Sequence, residues 1–161
     1  MVNFDYQTPT RLIFGKGVVS EKLASVMNQY GKRVLITYGG GSIKRTAPGH
    51  DKSLYDLVKD TLTDKQVFEL GGIQPNPKFN PSVLDGVRMC QDNDIDVILA
   101  VGGGSVLDCT KALAGVAGTL KTKVTDNVEE AWDIVCGRKP TTAAVPIVDI
   151  ITMAATGSEY D

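Results

Sequence analysis

Ile95-Asp96-Val97-Ile98-Leu99-Ala100-Val101-Gly102-Gly103-Gly104-Ser105-Val106-Leu107-Asp108-Cys109-Thr110-Lys111-Ala112 reads as a strand, a glycine turn and a helix. Residues 97–101 are apolar at every position, the pattern of a strand covered on both faces of a parallel sheet. The three glycines allow a tight turn and place no side chain in the way of an approaching ligand. Val106, Cys109, Thr110, Leu113 and Ala117 then recur at helical spacing. A helix that opens straight after such a turn directs unpaired backbone N–H groups into it, which suits an anion and most often a phosphate. A purely steric turn is the alternative reading of Gly102, Gly103 and Gly104. Ser105 could cap the helix or donate its hydroxyl to a phosphate. Asp108, one turn in, complements the positive end of the helix and could accept hydrogen bonds from a ribose or an amide.

The pattern occurs once before. Residues 32–38 form an apolar strand that runs into Gly39-Gly40-Gly41-Ser42, followed by Ile43-Lys44-Arg45. Two strand ends of one sheet are thereby expected to meet the same ligand at its carboxyl edge. Between them, Leu54, Leu57, Val58, Thr61 and Leu62 mark a helix, and residues 66–70 a strand. Residues 71–77 form a loop because of their two prolines, and a helix starts at Pro81. Upstream, residues 11–14 read as a strand ended by Gly15 and Gly17. Residues 20–30 read as a helix that Gly31 stops as its cap. Downstream, residues 119–127 look like polar surface and residues 128–135 like an amphipathic helix in which Trp132 packs. Residues 144–151 form a strand with Pro146 at an end or a bulge. Strands alternating with helices predict an α/β fold: a Rossmann-like, open, mostly parallel sheet with helices on both faces and right-handed crossovers. Residues 39–42, 71–72, 102–105 and 152–158 all fall at the carboxyl ends of its strands.

A chain of 161 residues allows one domain with a sizeable core, and 42% hydrophobic with 22% charged residues is a globular balance. A net charge of -2 gives no electrostatic reason to expect nucleic acid. No apolar run approaches a bilayer span, so no membrane partner is expected, and residues 1–5 do not resemble a signal peptide. The three cysteines form no CxxC pair and fit buried thiols in a reducing cytoplasm. The single histidine, His50, lies in a polar loop between Pro48-Gly49 and Asp51-Lys52 and reads as solvated. Transition-metal sites need several close ligands, so no metal site and no catalytic residue is assigned within this chain.

Neither glycine run is a GxxxxGK[ST] loop or a GxGxxG fingerprint. Folds that prefer NAD usually place a carboxylate on the adenosine ribose hydroxyls. Here the strand ends in Tyr38-Gly39 without one, and Ser42, Lys44 and Arg45 are local donors for a 2′-phosphate. That favours NADP, with NAD possible; the plainer alternative is that Lys44 and Arg45 face solvent. Thr152, Thr156 and Ser158 bring hydroxyls to the sheet edge, and Glu159 and Asp161 read as solvated carboxylates.

Four segments together resemble the iron-containing (group III) alcohol dehydrogenases, in the branch of the NAD(P)H-dependent butanol dehydrogenases. They are Tyr38-Gly39-Gly40-Gly41-Ser42-Ile43-Lys44, Gly72-Ile73-Gln74-Pro75-Asn76-Pro77, Ala100-Val101-Gly102-Gly103-Gly104-Ser105-Val106-Leu107-Asp108 and Ala155-Thr156-Gly157-Ser158-Glu159. The segment Leu12-Ile13-Phe14-Gly15-Lys16-Gly17 fits as well. The resemblance implies that residues 1–161 are the dinucleotide-binding domain, without the family's all-helical domain. In the family that second domain supplies the aspartate and histidines that hold iron or zinc. It further implies an oxidoreductase that moves hydride between NADP(H) and a primary alcohol or aldehyde such as butanol or butanal. This chain would be the cofactor-binding part, silent alone, and homo-oligomers are expected. By resemblance Gly102, Gly103 and Ser105, in the turn with Gly104, hold the pyrophosphate and Asp108 sits at the nicotinamide side. Thr152 and Thr156 line the groove, and Gly39, Gly40 and Ser42 surround the adenosine ribose or its 2′-phosphate. Met153-Ala154 and Asp149 depart from the family pattern. A non-catalytic nucleotide-binding module and a dehydroquinate-synthase-like sugar-phosphate enzyme share the fold class and remain alternatives.

Overall fold

The computed structural model describes residues 8–154 and 157–160. Helix α1 (Val18–Met27) leads into β1 (Arg33–Tyr38). A short 3-10 turn (Ser42–Lys44), α2 (Leu54–Thr61) and β2 (Gln66–Leu70) follow, then α3 (Leu84–Asp92) and β3 (Val97–Gly102). The chain continues through α4 (Gly104–Thr119) and α5 (Val128–Val135) to β4 (Ile147–Ile151). The strands lie in the order β2-β1-β3-β4, and all three pairings are parallel. The open, Rossmann-like parallel sheet read from the sequence is therefore present.

Alternation along the strands sorts side chains between two cores. Leu35, Ile98 and Ala100 pack with α3, α4 and α5 on one face. Val34, Ile36, Val97, Leu99 and Val101 pack with α1 and α2 on the other. β3 is buried at all six positions, which is why its sequence shows no polar alternation. Thr37, on the α4 face of β1, meets Thr110 across a buried hydroxyl–hydroxyl hydrogen bond of 2.7 Å. The Thr110 hydroxyl also lies 2.7 Å from the Val106 carbonyl of the preceding helical turn. At the amino edge the Asp96 carboxylate accepts the Arg33 backbone N–H at 2.8 Å and its guanidinium at 3.1 Å. That guanidinium and the backbone donor hold the Asp96 carboxyl below the usual aspartate range.

Several expectations change. Residues 11–14 are not a strand: among the described residues nothing pairs with them, and Leu12 and Phe14 are 60% and 93% exposed. Apolar alternation supplies a face, but a strand also needs a partner edge. Helix α1 ends at Met27 with Asn28 as its cap, so Gly31 does not stop it. Gly31 instead packs against Asp96, whose side-chain atoms occupy the place a Cβ would take. Pro81 keeps its expected place: within the wide turn Phe79–Val83 only Asn80 is non-helical, so helical backbone starts at Pro81 and runs on into α3. Leu120 and Val124 are buried within the 119–127 segment expected at the surface. Cys90 and Cys109 are buried but Cys136 is exposed. Burial pushes the Cys90 thiol up to about 12 and, with the nearby Asp108 charge, the Cys109 thiol to about 11. Trp132 packs on Phe79, with ring centroids 5.0 Å apart, yet stays 41% exposed. His50 is exposed, as read. Among the described residues no helix is long and apolar enough to cross a membrane.

Candidate functional site

The order β2-β1-β3-β4 has a physical consequence. From β1 the chain steps outward to β2 and then returns to the far side of β1 as β3. The connections that leave β1 and β3 therefore diverge to opposite faces, α2 with one core and α4 with the other. A crevice opens where they part, at the carboxyl ends of β1 and β3. Tyr38 pairs with Val101 in the register, so the two glycine runs that follow stand side by side.

Around that crevice the backbone is closely fitted. Gly102 ends β3, Gly103 occupies the cap position of α4 with extended backbone, and Gly104 and Ser105 open the helix. No side chain caps it, and the Val106 N–H already donates to the Gly103 carbonyl at 2.9 Å, so the Gly104 and Ser105 N–H groups are the ones left to a ligand or solvent. Ser105 lies inside the first turn, which corrects its reading as a cap. A Cβ on Gly102 would stand 2.5 Å from Val106 Cγ2, so only glycine lets the strand end this close to the helix. A Cβ on Gly39 would contact Val106 Cγ2 at 3.7 Å and the Ile73 carbonyl at 3.4 Å. Gly39 also accepts the Gly72 N–H at 3.1 Å, which ties the 71–73 segment to the same edge. Gly41 has φ +96, the left-handed region, and turns the chain into the Ser42–Lys44 segment. Nothing lies within 4 Å of a Cβ on Gly40, Gly41 or Gly72, so the first run borders open space.

The end of β4 closes the third side. Thr152 donates its N–H to the Gly102 carbonyl at 2.9 Å, and Met153 lies against Gly103. Ser158 is buried, with its hydroxyl next to Gly104, and its carbonyl accepts from the Lys111 ammonium of α4. Gly39, Gly102, Gly103, Gly104, Ser105 and Thr152 are thus brought to one edge, with Gly40 and Ser42 just outside it. Asp108 is exposed on α4, one turn along. Thr156 lies outside the described residues. This uncapped helix start, flanked by glycines on two strands and by free space, fits a dinucleotide phosphate cradle.

Sequence reasoning named Ser158 and Asp149 but missed three arrangements. Lys111 and Ser158 close the turn from the helix side. Asp149, on the α4 face of β4, has a carboxyl raised by burial and by Glu159, with the Lys111 charge opposing. Beside the first glycine run stands a polar aromatic cluster. Glu69 accepts from the Tyr38 hydroxyl at 3.0 Å, the Tyr55 hydroxyl at 2.8 Å and the Lys59 ammonium at 3.0 Å. Burial alone would raise the Glu69 carboxyl, but these three donors outweigh it and hold the group below its ordinary range. Only the alternation that puts Tyr38 and Glu69 on one face of neighbouring strands could have signalled the cluster.

A metal centre does not fit these residues. Among the described residues no three His, Cys, Asp or Glu side chains cluster, and the chain's one histidine is in an exposed loop.

The sequence profile of a family described as iron-containing alcohol dehydrogenase matches residues 9–161. A probable NADH-dependent butanol dehydrogenase of Bacillus subtilis is 46% identical over 163 aligned positions, covering 100% of this chain and 38% of that protein. An NADPH-dependent aldehyde reductase of Escherichia coli is 38% identical and covers 99% of this chain and 38% of its own length. The crystal structure of an NADH-dependent butanol dehydrogenase from Thermotoga maritima superposes with a TM-score of 0.80 at 33% identity, over 96% of this chain and 36% of that one. The chain therefore spans little more than a third of the length of these relatives.

Proposed function

The chain belongs to the iron-containing alcohol dehydrogenase family, and from that premise we propose that residues 1–161 form the dinucleotide-binding domain of an NAD(P)H-dependent alcohol or aldehyde oxidoreductase. The observation that carries the proposal is the meeting of two glycine turns and an uncapped helix start at the β1/β3 crevice. The Gly104 and Ser105 N–H groups, with the Ser105 hydroxyl, bind the pyrophosphate, and Gly102 and Gly103 let it approach. Asp108 accepts from the nicotinamide side, Thr152 lines the groove, and Gly39, Gly40 and Ser42 hold the adenosine ribose. A nicotinamide held there would supply hydride chemistry at C4, the reduced ring giving a hydride to an aldehyde such as butanal and the oxidised ring taking one from a primary alcohol such as butanol. The lack of a carboxylate at the end of β1 supports acceptance of a 2′-phosphate and hence NADP(H), while names of relatives include both NADH and NADPH users. Self-association is part of the proposal, because Leu12, Phe14 and Met153 leave large apolar surface exposed.

The test is a fluorescence titration of the purified 161-residue chain with NADPH and with NADH, followed by butanal and Fe²⁺ or Zn²⁺. The expected result is saturable binding without oxidation, since no set of metal ligands gathers among the described residues. Binding of neither nucleotide would overturn the cofactor-domain reading, and metal-dependent turnover would overturn its catalytic silence.

A further inference from the structure

We propose that Lys44 reads a phosphate monoester on the adenosine side of the dinucleotide, and that Tyr38, Tyr55 and Glu69 form the platform that positions it. The proposal rests on the dinucleotide reading above and narrows it to one cation. Lys44 ends the turn that begins at Ser42, and its backbone N–H donates to the Gly41 carbonyl at 3.0 Å, so its stem starts at the first glycine run. Its ammonium lies 4.8 Å from the Tyr38 ring centroid and 4.5 Å from that of Tyr55. The two rings meet edge to face, with centroids 5.9 Å apart.

The charges decide what this arrangement can do. Glu69 is paired with Lys59 at 3.0 Å, and its remaining capacity is taken by the two phenol hydroxyls. Lys44 makes no ion pair among the described residues. The cluster Lys44, Lys59 and Glu69 thus carries one surplus positive charge, and it resides on Lys44. A carboxylate partner would hold the ammonium and cancel its charge; aromatic faces hold it and leave the charge available to an anion. The platform is itself fixed. The Tyr38 ring lies on Gly71, where a Cβ would come within 2.6 Å of ring carbons, and both hydroxyls are anchored on Glu69. Arg45, the neighbouring cation, is exposed and follows in extended backbone without such an anchor.

The experiment measures NADPH and NADH dissociation constants for the full chain and for K44M, K44R and E69Q. In K44M the preference for NADPH over NADH falls about tenfold, equivalent to about 1.4 kcal/mol. K44R, which also stacks on rings, keeps most of that preference. E69Q separates positioning from charge. Removing a negative charge near the phosphate would by itself raise the NADPH preference, whereas loosening the platform lowers it, and a lowered preference is expected. An unchanged ratio in K44M overturns the role of Lys44, and a raised ratio in E69Q overturns the role of Glu69. If the parent chain binds both nucleotides while K44M keeps the parent ratio, this inference alone fails. If the parent binds neither, the dinucleotide reading fails and this inference with it.

Discussion

Gly102→Ala tests the central element directly. The added Cβ would lie 2.5 Å from Val106 Cγ2, 2.8 Å from Val106 Cβ and 3.2 Å from Val106 Cγ1. Ordinary carbon contacts begin near about 3.5 Å, so the first turn of α4 must retreat by roughly 1 Å or the strand end must tilt. Val106 is buried, and Gly102 is clamped between the β3 ladder and the Thr152 N–H, so neither side yields freely. Overpacking of this kind costs about 1–3 kcal/mol. With a urea slope of about 2 kcal/mol/M, the midpoint of unfolding should fall by roughly 0.5–1.5 M. Urea melts of the parent, G102A, V106A and the double variant form a cycle. V106A removes the contacts at 2.5 and 3.2 Å and leaves the one at 2.8 Å, so the double variant should be more stable than the sum of the single effects. The same retreat carries the Gly104 and Ser105 N–H groups away from the turn, so NADPH affinity should fall in parallel. A G102A midpoint within about 0.2 M of the parent, or strictly additive effects in the cycle, would refute the close-approach reasoning.

Two further predictions concern buried polar groups. Thr110→Val keeps the shape of the side chain but leaves the Thr37 hydroxyl buried without its partner, and should cost about 1–3 kcal/mol in urea unfolding, with T110S far milder; stability equal to the parent would refute it. Asp149 has a carboxyl raised by burial, so the folded chain holds that proton more tightly than the unfolded chain. Stability is then lost as pH rises from the ordinary aspartate value through the raised folded one, and stays lower above it. D149N should be more stable than the parent at neutral pH, with the gap closing below the ordinary aspartate range; a gap of the same size at both pH values would refute the assignment.

The strands, the glycine turns and the helix after Gly104 were legible because they depend on local composition. The short, β-branched apolar run of residues 97–101, bounded by glycines, matches a strand covered on both faces, and three glycines before a helical stripe permit the turn there. The site followed from the same logic, since parallel strands place their carboxyl ends at one edge. What the sequence could not supply was pairing. Residues 11–14 carry a strand-like pattern as good as that of residues 66–70, yet the latter find β1 as a partner and the former find none among the described residues. Gly31 looked like a helix cap because it follows a helical stripe, but Asp96, distant in sequence, is what requires it to be glycine. The Tyr38, Tyr55, Glu69 and Lys44 cluster joins two strands, a helix and a turn, and no spacing within one segment announces it. The sequence by itself determined the fold class, the two glycine turns and the placement of both at strand ends, because backbone sterics and apolar periodicity act between near neighbours. The tertiary structure alone decided that β1 and β3 are adjacent, so that the turns share one crevice, and that Lys44 stands over two rings beside it. Those outcomes depend on which distant surfaces are buried together.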